Sequence, residues 1–509
     1  MESENSQLKI GIVLNYINIG LGNLIPIFYT PIMLKLLGQS EYGLYKLSSS
    51  VTSYLSLMSL GIGSAVTRYL IKYKTQGDKK EEERILGLFM IIFQTIAIVT
   101  LIVGIVLIMN LQIWYDRSLD AEQLMRMKIL VSIMVFNMAI SFSVSPYISV
   151  VNAHEKFVFL QCMNILSTCI APIANLIVLW SGYKSIGMAI STMTINVFVQ
   201  LFYLIYVRRK LHIRARFRQL PLNLLKEILV FSFWIFVANI VSQLYGATDT
   251  VMIGMVPSLA TVGIAIYNVG NTLNNIVFTM STGLTSVLAP KTNRMVFSGV
   301  DKSELTKFSI RIGRIQAYII ALIVTGFIAF GQPFIYYYAG EEYKDAYWVA
   351  ILMMIPNLIP LVQSVCLNII VAENRHRFRS IVYLGIAILN VIGTWVLMQI
   401  MGIIGAALMT GVALIIGQGF VMNWYYWKKI KLDIPRFWKE VGGVFCIPII
   451  MCIIVKVIAR YVNFYNLFIL LIGIIVYTII FVIINWLFIM NTYEKNLIRE
   501  PFSKFNKKN

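Results

Sequence analysis

The 509-residue chain is 58% hydrophobic and only 13% charged, with a mean hydropathy of +0.77. A water-soluble fold of this length has too little interior to hide so much apolar side chain, so the composition excludes a soluble enzyme or binding domain and indicates a polytopic membrane protein. The formal net charge of +20 invites a nucleic-acid reading, which the placement of the charges then removes.

At the N-terminus, MESENSQLKIGIVLNYINIG shows neither a basic n-region nor a small-residue cleavage site, so its apolar block is expected to stay as a helix. Blocks of the roughly 20 apolar residues that span a bilayer lie at 10–34, 43–70, 85–110, 127–151, 157–180, 186–207, 224–247, 258–289, 310–331, 347–371, 380–400, 403–424, 441–459 and 465–490. The expected fold is all-α, with about 14 transmembrane helices.

Charge tests this count, because Lys and Arg gather in cytoplasmic loops. With the N-terminus inside, every second connection is basic: KYKTQGDKKEEER, HEKF, RRKLHIRARFR, the 291–314 segment, NRHRFR, KKIKLDIPRFWK and the C-terminal tail. Together with Lys9, Arg68 and Lys226 they hold 34 of the 43 basic residues. Both termini are therefore expected in the cytoplasm. RRKLHIRARFR lacks the interleaved aromatics that stack on bases, so topology and anionic lipid account for it, and no nucleic acid is expected. The outer loops near YDRSLDAEQ and YYYAGEEYKDA are too short to form a domain. All five cysteines fall inside apolar blocks with no histidine at ligand spacing, so they read as structural thiols and no metal or cofactor is expected.

Two small charged knots interrupt the apolar blocks, VVNAHEKFVF and, later, VAENRHRFRS. They belong to a duplication. Gly43 matches Gly263 at an offset of 220 and Tyr45 matches Tyr267 at 222; Gly61 and Ser64 match Gly283 and Ser286. Phe157 matches Phe378, Asn175 and Trp180 match Asn390 and Trp395, and IGMA at 186 matches IGAA at 404. Ordered succession at drifting offsets marks a repeat. Each copy holds six spans, an even number, so the copies enter the membrane in the same orientation and form parallel repeats. The expected domains are a six-helix bundle over 1–220, a second over 221–430, and two further helices with the tail over 431–509. The knots are then a duplicated inner turn. A catalytic role for His154 and Glu155 would need a partner cluster, which the sequence lacks.

Parallel bundles are expected to leave a transport site between them, and polar stripes suggest its lining. The second span places Ser49, Thr52, Ser56, Ser59, Gly63 and Thr67 at steps of three and four, and the eighth does the same with Asn268, Asn271, Asn275, Thr279, Thr282 and Ser286. The seventh offers Asn239, Ser242, Gly246 and Asp249, the first Asn15, Asn18 and Gly22. The competing reading is that small polar residues simply let helices pack closely. Pro26 and Pro31, and Pro356 and Pro360, suit bent helices facing a cavity.

Ionisable residues within spans are few. Arg68 is expected toward the inner end of the second span and Lys46 toward its outer end, where snorkelling is the plainer alternative. Arg311 and Arg314 open the ninth span three residues apart on one face, Lys456 lies in the thirteenth, and Asp249 ends the seventh. For Asp249 the alternatives are ion coupling and a helix-end carboxylate in contact with water.

LKLLGQSEYGLYKLSSS, SLGIGSAVTRYL, TDTVMIG and VGIAIYNVGNTL resemble the polysaccharide transporter branch of the multidrug/oligosaccharidyl-lipid/polysaccharide exporter superfamily. The resemblance covers essentially the whole chain. It implies a bacterial inner-membrane flippase that carries an undecaprenyl-pyrophosphate-linked oligosaccharide to the outer leaflet, for capsule, exopolysaccharide or O-antigen assembly. Expected partners are that lipid, the surrounding membrane lipids, and a polysaccharide polymerase with its chain-length machinery, around a monomer. Arg68, Lys46, Arg311 and Arg314 are the candidates for pyrophosphate, Ser56, Asn271 and Asn275 for sugar, and Asp249 for the coupling ion. Lipid II and spore-wall precursor flippases are close neighbours. A cation-coupled drug exporter of the same superfamily is the first rival, disfavoured by the scarcity of membrane carboxylates. A membrane polymerase or ligase is the second, disfavoured by the absence of a sizeable outer loop or an Asp-x-Asp motif.

Overall fold

The computed structural model describes residues 2–497 apart from Asn374, together with Arg499. Asn374, the tail beyond Arg499 and the side chains of Thr282, Ser286, His376 and Arg377, which carry parts of the expected stripe, knot and basic tail, lie outside the described residues. Every regular element among the described residues is helical. The chain packs as two compact units, Met1–Asn268 and Val269–Asn509.

The first unit runs through α1 (Glu2–Leu37), α2 (Gln39–Ser53), α3 (Ile62–Thr75), α4 (Lys79–Tyr115), α5 (Ala121–Ala153), α6 (Phe157–Trp180), α7 (Lys184–Tyr206), α8 (Leu225–Gly246) and the short α9 (Thr248–Gly254) into the start of α10 (Ala260–Phe297). The expected second span is not one helix. After α2 a 3-10 turn covers Tyr54–Ser59, and Leu60 and Gly61 take left-handed φ values of 50° and 69° before α3 begins. Glycine adopts that conformation without a Cβ clash, and its neighbour follows at a cost. The six-residue stripe therefore does not lie on one face. α1 packs on α6, and α5 on α4 and α7. α2 meets the start of α10 backbone to backbone: a Cβ on Gly43 would come within 1.8 Å of the Thr261 carbonyl oxygen.

The second unit holds the rest of α10, then α11 (Lys302–Tyr338), α12 (Ala346–Val362), α13 (Ser364–Ala372), α14 (His376–Leu414), α15 (Asn423–Lys428), α16 (Ile434–Ile458) and α17 (Leu467–Ile484). α12 and α13 meet at a 49° bend. α16 and α17 both pack on α11 around Phe330, Tyr477 and Phe481.

Among the described residues ten helices are long and apolar enough to cross a membrane, eleven if the bent α12–α13 pair is one span, against the expected fourteen. The difference is physical. Phe378–Lys428 counts once, yet 51 residues of straight helix would be about 77 Å long, far beyond a bilayer core of about 30 Å. At Gly402 the backbone leaves the helical region (φ 60°, ψ −142°), so this stretch contains the two expected spans 380–400 and 403–424. The other two missing spans are the broken α2–α3 and the asparagine-rich α10. The apolar residues face outward: α17 exposes Phe468, Leu471, Ile475 and Ile479 by half or more, a surface that water does not favour but lipid does.

The expected repeat has counterparts in the packing of each unit. Phe159 stacks on Tyr206 with centroids 3.9 Å apart, and Phe378 stacks on Tyr425 at 4.1 Å. This pairs Phe378 with Phe159 rather than with Phe157, because it is the ring contact that repeats. Asn175 bonds Thr192 at 3.2 Å, and Thr410 donates to Asn390 at 3.4 Å. Gln200 donates to Ser141 at 2.7 Å, as Gln363 does to Asn423 at 2.6 Å. The knots are pinned alike. His154 meets Glu82 near the start of α4, while Glu373 receives Lys302 at the start of α11. In both, a carboxylate links the knot to the start of a preceding long helix, with the carboxylate on opposite partners.

Candidate functional site: the polar cluster around Asp249

α8 stops at Gly246 and α9 starts at Thr248, so Thr248, Asp249 and Thr250 lie in the first turn of a new short helix. All three are buried, Asp249 to 3% exposure. This overturns the reading of a water-exposed helix-end carboxylate, because the neighbouring segments close over it. The Tyr267 hydroxyl donates to Asp249 Oδ2. Tyr54 and Thr248 share a hydroxyl hydrogen bond of 2.6 Å, and Asn268 donates to Thr250 at 3.2 Å and to the Ile264 carbonyl at 2.9 Å. Gln243 donates to Ser53 at 2.6 Å, tying α8 to the end of α2. A carboxylate in such a place is costly unless partnered, and hydroxyl and amide groups can serve either a proton or a metal cation on it. Among the described residues no group of three His, Cys, Asp or Glu is arranged to hold a metal ion.

The remaining site candidates are spread out. Lys46 lies on α2 with its amine 5.5 Å from the Tyr42 ring. One turn earlier, Glu41 receives Arg126 of α5 and Ser185 of α7, and Arg126 also reaches Glu122 at 2.5 Å. Sequence reasoning missed this network, since its members lie 85 and 144 residues apart. Arg68 is exposed on α3, beside Tyr69, whose hydroxyl donates to Glu227 at 3.0 Å. Arg68 and Lys46 lie on different helices, on either side of the break at Leu60–Gly61. Ser56 is exposed in the 3-10 turn. On α10 Asn275 is exposed and donates to Asn271, one turn earlier, at 3.4 Å. Its neighbour Asn274 is buried and accepts from Asn357 at 2.9 Å.

Arg311 and Arg314 are turned toward the C-terminal segment. Arg314 donates to Glu494 through Nε at 2.6 Å and Nη2 at 3.1 Å, and also to the Glu440 and Ile489 carbonyls and the Tyr318 hydroxyl, each at 2.9 Å. Arg311 lies 4.2 Å from the Tyr493 ring centroid. A pyrophosphate could reach Arg314 only by displacing a buried carboxylate. Lys456 donates to the Tyr347 hydroxyl at 3.3 Å.

Solved structures share this fold. A lipid II flippase, MurJ, in its inward closed conformation matches with a TM-score of 0.71 at 16% identity, covering 94% of this chain and 98% of that one. An inward-facing multidrug resistance MATE family transporter of the MOP superfamily matches at 0.62 with 14% identity, covering 86% and 99%. The Vibrio cholerae MATE transporter VcmN matches at 0.57 with 15% identity, covering 85% and 99%. No curated protein sequence matches the chain. The family model described as polysaccharide biosynthesis protein matches residues 9–295, more than half of the chain. On that match the chain belongs to the polysaccharide biosynthesis protein family, and its fold is shared with those solved structures.

Proposed function

We propose that the protein flips a polyprenyl-pyrophosphate-linked oligosaccharide from the inner to the outer leaflet of a bacterial cell membrane, by alternating access, for cell-surface polysaccharide assembly. The observation that carries this reading is membership of the polysaccharide biosynthesis family by a chain built from bilayer-length helices. The head group of such a lipid cannot cross hydrocarbon unaided, whereas its tail never has to leave it. Asn271, Asn275 and Ser56 present amide and hydroxyl groups suited to sugar. Arg68 is the pyrophosphate contact on loading, where its planar fork can grip phosphate oxygens bidentately. Lys46 takes the phosphate later in the cycle, and Arg311 is a second loading contact. Asp249 couples transport to a cation gradient. The protein works as a monomer with both termini in the cytoplasm and delivers its cargo to a polysaccharide polymerase.

Reconstitution tests the reading. Proteoliposomes loaded with undecaprenyl-pyrophosphate-linked oligosaccharide in one leaflet should expose the glycan to an external glycosidase at a rate set by the protein. Exposure equal to that of protein-free vesicles would overturn it. The buried carboxylate among tyrosine hydroxyls favours a second reading, a cation-coupled drug exporter, which gradient-driven dye efflux without lipid flipping would select.

A further inference from the structure

Away from Asp249, the second unit contains a cavity of about 500 Å³ lined by Gln332 and Tyr336 of α11, Glu341, Lys344 and Asp345 of the following turn, Trp348 of α12, and Tyr465 of the α16–α17 connection. Its volume lies within the range of small-ligand sites. Three aromatic rings are left open at it: Tyr336 is 42% exposed, Trp348 48% and Tyr465 52%.

The site is held in place from several sides. Tyr336 and Tyr465 meet edge to face at 5.6 Å, and the Tyr337 hydroxyl donates to the Tyr465 carbonyl at 2.5 Å. The Tyr465 amide donates to Asn463 at 3.0 Å, and Asn466 caps α17 through the Phe468 and Ile469 amides. Phe464 is locked edge to face on Phe330 at 5.1 Å. Trp348 stands against the buried Tyr347 ring at 5.1 Å. The aromatic faces are thus ordered before any ligand arrives, which lowers the entropy lost on binding.

The chemistry of this lining is selective. A pyranose ring has an apolar C–H face that suits the negative face of an aromatic ring, and a rim of hydroxyls that both donate and accept. Trp348, Tyr336 and Tyr465 supply the first complement. Glu341 and Asp345 accept hydroxyl protons, while Lys344 and Gln332 donate. An interfacial belt of aromatics, the plainer reading of exposed Trp and Tyr, would not gather two carboxylates, an amide and an ammonium into the same concavity. A lipid tail would find the lining too polar.

We propose that this cavity is a saccharide-binding site, distinct from the Asp249 cluster, which takes one or two sugar rings of a glycan by stacking on Trp348 and Tyr465. It rests on the flippase reading for why a glycan reaches it: in the proposed topology the Gly340–Asp345 turn faces outward, where the flipped head group emerges.

The intact protein in lipid nanodiscs, probed with an array of lipid-free gluco-, galacto-, manno- and amino-sugar oligomers, tests it. At least one sugar class should bind. Trp348→Ala and Tyr465→Ala should each weaken binding about tenfold or more, and Trp348→Phe should retain it. A Glu341→Gln/Asp345→Asn variant, which leaves the rings in place, should also bind more weakly at an unchanged melting temperature. No binding by the parent protein, or equal binding by either alanine variant and the double variant, overturns the proposal. Glycan binding without lipid flipping would instead overturn the flippase reading and leave the cavity standing, so the two failures are distinguishable.

Discussion

His154 Nε2 lies 2.6 Å from Glu82 Oε1, so the first charged knot is clamped to the first turn of the helix after the α3–α4 connection. Glu82 is 4% exposed. In the second unit the partner at the helix start is the cation Lys302, and the knot supplies the carboxylate Glu373.

Breaking the first clamp should be expensive. Glu82→Ala leaves His154 without its partner in a half-dry turn, and a buried polar group left unsatisfied typically costs about 1–3 kcal/mol. The expected outcome is a marked fall in melting temperature in detergent. In the second unit, Lys302→Glu and Glu373→Lys should each destabilise, and the double exchange should recover most of the loss. A double-mutant cycle that shows no coupling would refute the clamp.

Topology comes next. In a cysteine-free background, single cysteines at Glu155 and Arg375 should resist an impermeant thiol reagent in intact cells, and one at Glu341 should react. Labelling of either knot from outside would break the even-helix repeat.

Asp249→Asn should remove the dependence of flipping on an ion gradient while leaving protein abundance near normal, because the amide keeps the shape and can still meet Tyr267. One charge moved through 100 mV is worth about 2.3 kcal/mol, enough to bias a transport cycle. Tyr267→Phe should shift that dependence less. Gradient dependence unchanged in Asp249→Asn would remove this residue from the mechanism.

The two arginine positions should respond in opposite ways. Arg68→Ala should slow flipping at normal abundance, with Arg68→Lys intermediate because charge remains and the fork is lost. Arg314→Ala should instead lower abundance and melting temperature, since it strands Glu494, which is 4% exposed, at a cost of about 3–5 kcal/mol. Normal flipping by Arg68→Ala would reduce that residue to a topology anchor.

Hydropathy and loop charge are local properties that add along the chain, and they alone determined the all-helical membrane class, the positions of most spans and the two knots. The repeat was equally legible, since duplicated residues keep their order. Partner choice was not. Arg314 and Glu494 are 180 residues apart and Arg126 and Glu41 are 85 apart, and no periodicity announces which cation finds which carboxylate. The second span read as one striped helix because its composition is continuous. Two left-handed residues, Leu60 and Gly61, turned it into two segments and broke the single striped face. Burial of Asp249 was likewise decided by Tyr54, Tyr267 and the start of α10 closing around a helix only seven residues long. Spans follow from what each residue prefers as solvent, whereas sites follow from which residues share a small volume, and only packing settles the second.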